Sequence, residues 1–210
     1  MGEAVSDDEP RNAIMLITRE REKLCQAIVF FAKNTNKFGK IKLFKLLFFL
    51  DFEHFKATGR SVTGSRYDAW PNGPVPKFLF DEWNDLGEDL SSCIEIATIP
   101  TLKGRMQKVI PKVPFDPSHF SKRELRLMSG LAAQYRDTNS DDMIEETHLE
   151  NRPWHQVYEV QGKHQDSIPY DLALNKGEAD AMKRQIRERE EMIDNYNKNV
   201  TDDGSRHDPI

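Results

Sequence analysis

The sequence predicts an α+β fold that is mostly helical: a compact helical domain around a hydrophobic central helix, with a small antiparallel β-hairpin or sheet. Three observations carry this. From Ile41 to Phe55 the chain is apolar nearly all round, the mark of a helix covered on several sides. Two segments, Cys93–Ile99 and Met106–Val113, alternate apolar and polar residues across Lys103-Gly104-Arg105, the pattern of a hairpin. Amphipathic helical spacing with start and stop signals accounts for most of the remainder.

The central helix lies between Gly39 and Gly59, where a glycine past the last turn ends a helix in the left-handed region. Its run Leu43–Leu50 is broken only by Lys45, and Lys42, Lys45, Asp51, Glu53 and Lys56 read as what is left of its wet face. It is too short and too charged to span a bilayer, which needs roughly 20 apolar residues. Before it, Thr18 reads as the N-cap of a helix to Lys33, with Leu24, Ile28, Phe31 and Ala32 at helical spacing. Ile14, Leu16 and Ile17 read as a strand or packed lead-in.

After the central helix, Arg66–Trp70 suits a short extended segment, and Pro71-Asn72-Gly73-Pro74-Val75-Pro76 is a stiff turn. Asn-Gly favours positive φ, and each proline biases its predecessor to extended backbone. Pro76 suits the first turn of a helix over Lys77–Leu86. Such a loop is either a structural corner or a presented binding surface.

Past the hairpin, Ser121 and Glu124 form a capping box that opens a helix to about Tyr135. Ser140 reads as the cap of a short helix over Asp141–Leu149, and Pro153 opens a last turn to Val160. Lys163–Asp171 reads as a loop. The domain organisation expected is a disordered acidic N-terminus over 1–12, one domain over 13–176, a charged helix over 177–200 and a disordered tail over 201–210. That helix has a thin apolar stripe of Met182, Ile186, Met192, Ile193 and Tyr196. It is either a solvated terminal helix or a docking helix that orders on a partner.

The 210 residues carry a net charge of −5, which disfavours nucleic acid as the main ligand, because such binders present a basic surface. Cys25 and Cys93 have apolar neighbours and read as reduced thiols of a cytoplasmic protein. No transmembrane run is visible, and no membrane association is expected. The six histidines, His54, His119, His148, His155, His164 and His207, show no metal-binding spacing, so neither metal nor cofactor is expected. No nucleophile motif or phosphate loop is present. A catalytic role is therefore not expected. Aromatic residues are the more informative signal, since they fill cores and also anchor interfaces. Trp70 and the loop from Asn72 to Pro76 are the candidates for partial exposure.

The order of motifs resembles a known family. Lys42-Leu43-Phe44-Lys45-Leu46-Leu47-Phe48-Phe49-Leu50-Asp51 with His54 is followed by Gly59-Arg60, Thr63-Gly64, Arg66–Trp70 and Asn72–Pro76. Downstream stand Thr147-His148 and Pro153-Trp154. Over roughly residues 20–160 this resembles the Panacea domain, the SocA-like antitoxin family. Asn72 departs from the Lys- or His-type residue more often expected there. The resemblance implies a bacterial or phage-borne antitoxin of a toxin–antitoxin system, with phage defence a possible setting. It would neutralise a cognate toxin by direct binding, without catalysis. The partner-binding residues this suggests are Tyr67, Asp68, Trp70, Asn72, Gly73, Pro74, Pro76, His148 and Trp154. The alternatives are an adaptor that hands a bound protein to a cellular protease, and a DNA-binding autoregulator of its own operon. The absence of a basic helix-turn-helix disfavours the second.

Overall fold

A computed structural model describes residues 19–101, 104–149 and 152–203, with backbone only for 176, 189–190 and 193–203. The N-terminus expected over 1–12, the lead-in at Ile14–Ile17 and residues 204–210 lie outside the described residues, and the N-cap of the first helix falls at Arg19, not at the expected Thr18. The expected fold class is observed: helices dominate, with two small antiparallel sheets of two strands each.

The first helix, α1, spans Glu20–Asn34 and the second, α2, spans Lys40–Thr58. The end of α2 is the expected one: Gly59 takes φ 71° and its N–H bonds the carbonyl of Phe55. The first strands are β1, Tyr67–Trp70, and β2, Gly73–Pro76. Two short helices follow, α3 over Lys77–Asp81 and α4 over Glu88–Cys93. The helix expected over Lys77–Leu86 thus stops early, where Trp83 turns into the core and a carboxylate-rich turn begins. Strands β3, Ile94–Thr101, and β4, Gly104–Pro111, form the expected second hairpin, with Ile96 opposite Val109.

Helix α5 spans Lys122–Gln134 and carries the capping box in full: Ser121 Oγ accepts from the Glu124 N–H, and Glu124 accepts from the Ser121 N–H at 2.6 Å. Helix α6 spans Ser140–His148, but its cap is Asn139, whose side chain accepts from the N–H groups of Asp141 and Asp142. Pro153–His155, α7, runs on into a wider turn at Gln156–Val160. A 3₁₀ turn, Tyr170–Ala173, precedes the last helix, α8, Lys176–Asp203, which runs three residues past the expected end.

The core is built on α2. Leu43, Leu46, Leu47 and Leu50 are fully buried, and Ala27, Ile28, Val29 and Phe31 of α1 close one side of it. Phe48 and Phe52 pack edge-on against Tyr67, and Phe49 stacks on Tyr135 at 5.1 Å. Burying each such side chain contributes about 1.5–3 kcal/mol.

Three polar residues of α2 correct the sequence reading, which put Lys42, Lys45 and Asp51 on a wet face. All three are buried, because each bonds groups from outside the helix. Lys42 donates to the carbonyls of Asn36, Arg136 and Thr138, at 2.8, 3.0 and 2.9 Å. Asp51 accepts from the N–H groups of Val62 and Thr63, both at 2.8 Å, and from the hydroxyls of Thr63 and Tyr67. Burial pushes the Asp51 pKa up, against these four hydrogen bonds, which favour the carboxylate. His54 joins them, its Nδ1–H donating to the Arg60 carbonyl at 2.7 Å.

Candidate functional site: a proline hairpin on a buried lysine

The stretch Asn72–Pro76, expected as a stiff turn, is in fact half of a hairpin. Tyr67 faces Pro76 across it, Asp68 faces Val75, Ala69 faces Pro74, and Trp70 faces Gly73. Two prolines are tolerated in β2 because of its register on β1, which the bonds on the far edge of β1 reveal. Residues 165–168, expected as a plain loop, run along that edge. Ala69 donates to Asp166 and accepts from Gln165, and Tyr67 accepts from Ile168, at 2.7–2.8 Å. Antiparallel strands alternate the direction of their backbone groups. With Tyr67 and Ala69 turned outward, their partners Pro76 and Pro74 sit where no ladder donor is needed. The connecting residues Pro71 and Asn72 are exposed, and Gly73 takes φ 95°.

Beneath the hairpin lies Lys45. Its Nζ donates to the Pro74 carbonyl at 3.0 Å in a fully buried setting. Desolvation pulls its pKa down to about 7, since a buried ammonium loses its hydration. A Cβ on Gly73 would stand 2.5 Å from that nitrogen and 2.7 Å from the Thr147 hydroxyl. Glycine at 73 is therefore required twice, by its backbone angle and by this close approach.

Aromatic rings brace the other side. Trp154 is buried and donates its Nε1–H to the Trp70 carbonyl at 2.9 Å. His148 stacks on Trp154 at 3.8 Å, Trp154 on Tyr158 at 4.7 Å, and Tyr158 on His164 at 4.2 Å. Burial lowers the pKa of His148. Trp70 leans on Phe80 at 4.8 Å, and Lys40 Nζ sits over the rings of Phe80, Trp83 and Phe44 at 4.6–5.6 Å. Cation–π geometry of this kind holds an ammonium without an acid partner.

The candidate contact residues thus come together, but at different depths. Tyr67, Asp68, Gly73, Pro74, Pro76 and Trp154 are buried; Trp70 and His148 are half-buried; Asn72 is exposed. Asp68 lies beside the Arg66 guanidinium, 3.3 Å away. Three polar atoms of these residues, Asp68 Oδ1, Trp70 Nε1 and His148 Nε2, are buried with no hydrogen-bond partner among the described residues.

Sequence reasoning missed Lys45 as part of this site, although a lone lysine in an apolar run was the available signal. It also missed residues 165–168, which show no strand pattern. Among the described residues, no group of three or more His, Cys, Asp or Glu is placed to hold a metal ion. No described helix is long and apolar enough to cross a membrane. Cys25 is buried, and desolvation pushes its thiol up to about 12, which makes it a poor nucleophile. What the site offers is a rigid, partly exposed loop on a braced base.

A protein-family model described as antitoxin SocA-like, Panacea domain, matches residues 43–155, more than half of the chain. Comparison with curated proteins and with solved structures finds no match.

Proposed function

The chain belongs to the SocA-like antitoxin family through its Panacea domain, and on that premise we propose that it neutralises a cognate toxin by direct protein–protein binding. The observation that carries this reading is the family match itself, which spans the proline hairpin together with Lys45 and Trp154. The activity so proposed is inhibition by contact in the cytoplasm, without catalysis.

The contact is proposed to centre on Trp70 and Asn72. Rigid aromatic and loop residues bind at low ordering cost, and this loop is fixed from below by Lys45 and from the side by Trp154. The buried members, Tyr67, Asp68, Gly73, Pro74, Pro76 and Trp154, then act by holding the loop, with His148 at the rim. A net charge of −5 suits a basic toxin surface and faster encounter at low salt.

The test is co-expression with the protein encoded beside it, read by pull-down and by growth. A stable complex that restores growth is the expected result. Growth restored with no complex, and only as the neighbour's level falls, would replace direct binding by delivery to a protease. A promoter gel shift with steep salt dependence would instead point to DNA-bound autoregulation.

A further inference from the structure

Beyond the hairpin, β2 runs directly into α3, and α3 carries Phe78, which is 64% exposed. A single exposed apolar residue is ordinary on a protein surface. Phe78 differs in being held. The Arg21 guanidinium lies over its ring at 5.1 Å. That guanidinium is itself clamped by Glu82, through two bonds of 2.6 and 2.8 Å, and by Asp89. Buried Leu79 and Trp83 fix the short helix beneath. One face of the ring is therefore covered by a fixed cation and the rest is presented to solvent, with little rotamer freedom left to lose on binding.

The segment that follows is acidic. From Asp81 to Asp89 there are five carboxylates and no Lys or Arg. Arg21 engages Glu82 and Asp89, and Lys77 pairs with Asp81. Asp85 and Glu88 are exposed and make no ion pair among the described residues. The rim of the Phe78 platform is thus acidic on its α3–α4 side.

We infer that Phe78 on its Arg21 platform is a second anchor for the toxin, and that it enters an apolar cleft rimmed by Lys or Arg. This rests on the reading of the chain as a direct-binding antitoxin and extends it. An aromatic anchor at the centre with like charges at the edge is the arrangement in which the ring supplies affinity and the charges supply rate. The platform and the Trp70 loop are joined by the four residues of β2, so one partner surface reaches both.

The experiment measures association and dissociation of purified full-length chain with the toxin encoded beside it, at low and high salt. Three variants are compared with the unaltered protein: Phe78→Ala, Glu88→Lys, and Glu95→Lys as an equal charge change on exposed β3. Thermal midpoints confirm that each is folded. Phe78→Ala is expected to weaken binding by about tenfold or more, mostly by faster dissociation. Glu88→Lys is expected to slow association several-fold at low salt and to have little effect at high salt, with Glu95→Lys near the unaltered protein at both. A folded Phe78→Ala protein that binds within about twofold of the unaltered chain overturns this anchor while leaving the antitoxin reading intact. Equal effects of Glu88→Lys and Glu95→Lys overturn the acidic rim. Failure of the unaltered chain to bind any form of the neighbouring protein removes the antitoxin reading, and this anchor with it.

Discussion

The amine of Lys45 donates to the carbonyl of Pro74, 3.0 Å away, from inside a helix that is otherwise apolar there. A proline has no N–H to offer, but its carbonyl remains an acceptor, and here a side chain rather than a strand satisfies it. The hairpin thereby hangs on a group that titrates near neutrality.

That titration predicts a pH dependence of stability. The folded state holds the Lys45 pKa at about 7, whereas the unfolded chain holds it near the usual 10.4. Between these values the unfolded state binds more protons, so stability rises with pH, by up to about 1.4 kcal/mol per unit. It is lower below pH 7, where the buried amine must carry its charge. Urea melts from pH 7 to 8 should show this rise, below the usual thiol pKa of about 8.5 and the phenol range. Lys45→Met should flatten it, and an unchanged slope in that variant would assign the effect elsewhere.

Two glycines should respond to alanine with opposite signs. Gly73→Ala forces a side chain onto φ 95° and into Lys45 and Thr147, costing about 1–3 kcal/mol. Gly130 lies within α5, and a Cβ there meets nothing within 4 Å. Gly130→Ala should stabilise by about 0.5–1 kcal/mol. Denaturant midpoints for the pair settle both.

Asp51→Ala should be among the most damaging single changes. It leaves three donors, the N–H groups of Val62 and Thr63 and the Tyr67 hydroxyl, buried without an acceptor, while the Thr63 hydroxyl keeps Ser65 Oγ at 2.8 Å. The expected loss is about 3 kcal/mol or more. Calorimetry should show a large drop in the unfolding midpoint, and a drop of only a degree or two would mean that water replaces the carboxylate.

The loop and its brace should separate function from stability. Trp70→Ala and Asn72→Ala are expected to impair toxin neutralisation while leaving a folded protein. Trp154→Ala removes a buried aromatic ring and should cost about 3–5 kcal/mol first. Circular dichroism beside growth rescue distinguishes the two. Trp70→Ala protein that is folded and rescues fully would exclude Trp70 as an anchor.

The last helix has a docked part and an exposed part. A Cβ on Gly59 would meet Met182 and Ile186 at 2.7 and 3.1 Å, so these two side chains lie against the end of α2, whereas Met192 is 70% exposed. Ile186→Asp should therefore loosen the helix, seen as faster amide exchange along α8, and Met192→Asp should not. Deletion of 177–210 is expected to weaken neutralisation without abolishing it.

How much of this was legible in the sequence follows from where its signals are local. The central helix, its glycine stop, the capping box of α5 and the second hairpin each rest on neighbours in the chain, and each was read. Lys45, Lys42 and Asp51 were misplaced because their partners lie 6 to 96 residues away, and hydropathy alone assigns a charged side chain to water. The strand character of β2 was hidden for a similar reason. Two prolines in four residues argue against a strand unless the register is known to turn both nitrogens away from the partner strand. Helix α4 escaped notice because its six residues, Glu88–Cys93, bury only Leu90.

The strip Gln165–Ile168 lies outside the stretch that identifies the family, yet it covers the outer edge of β1. A version of this protein cut at residue 155 would keep every family motif and expose a bare row of strand donors and acceptors. Such an edge is a template for pairing with other chains, so the shortened protein should associate with itself.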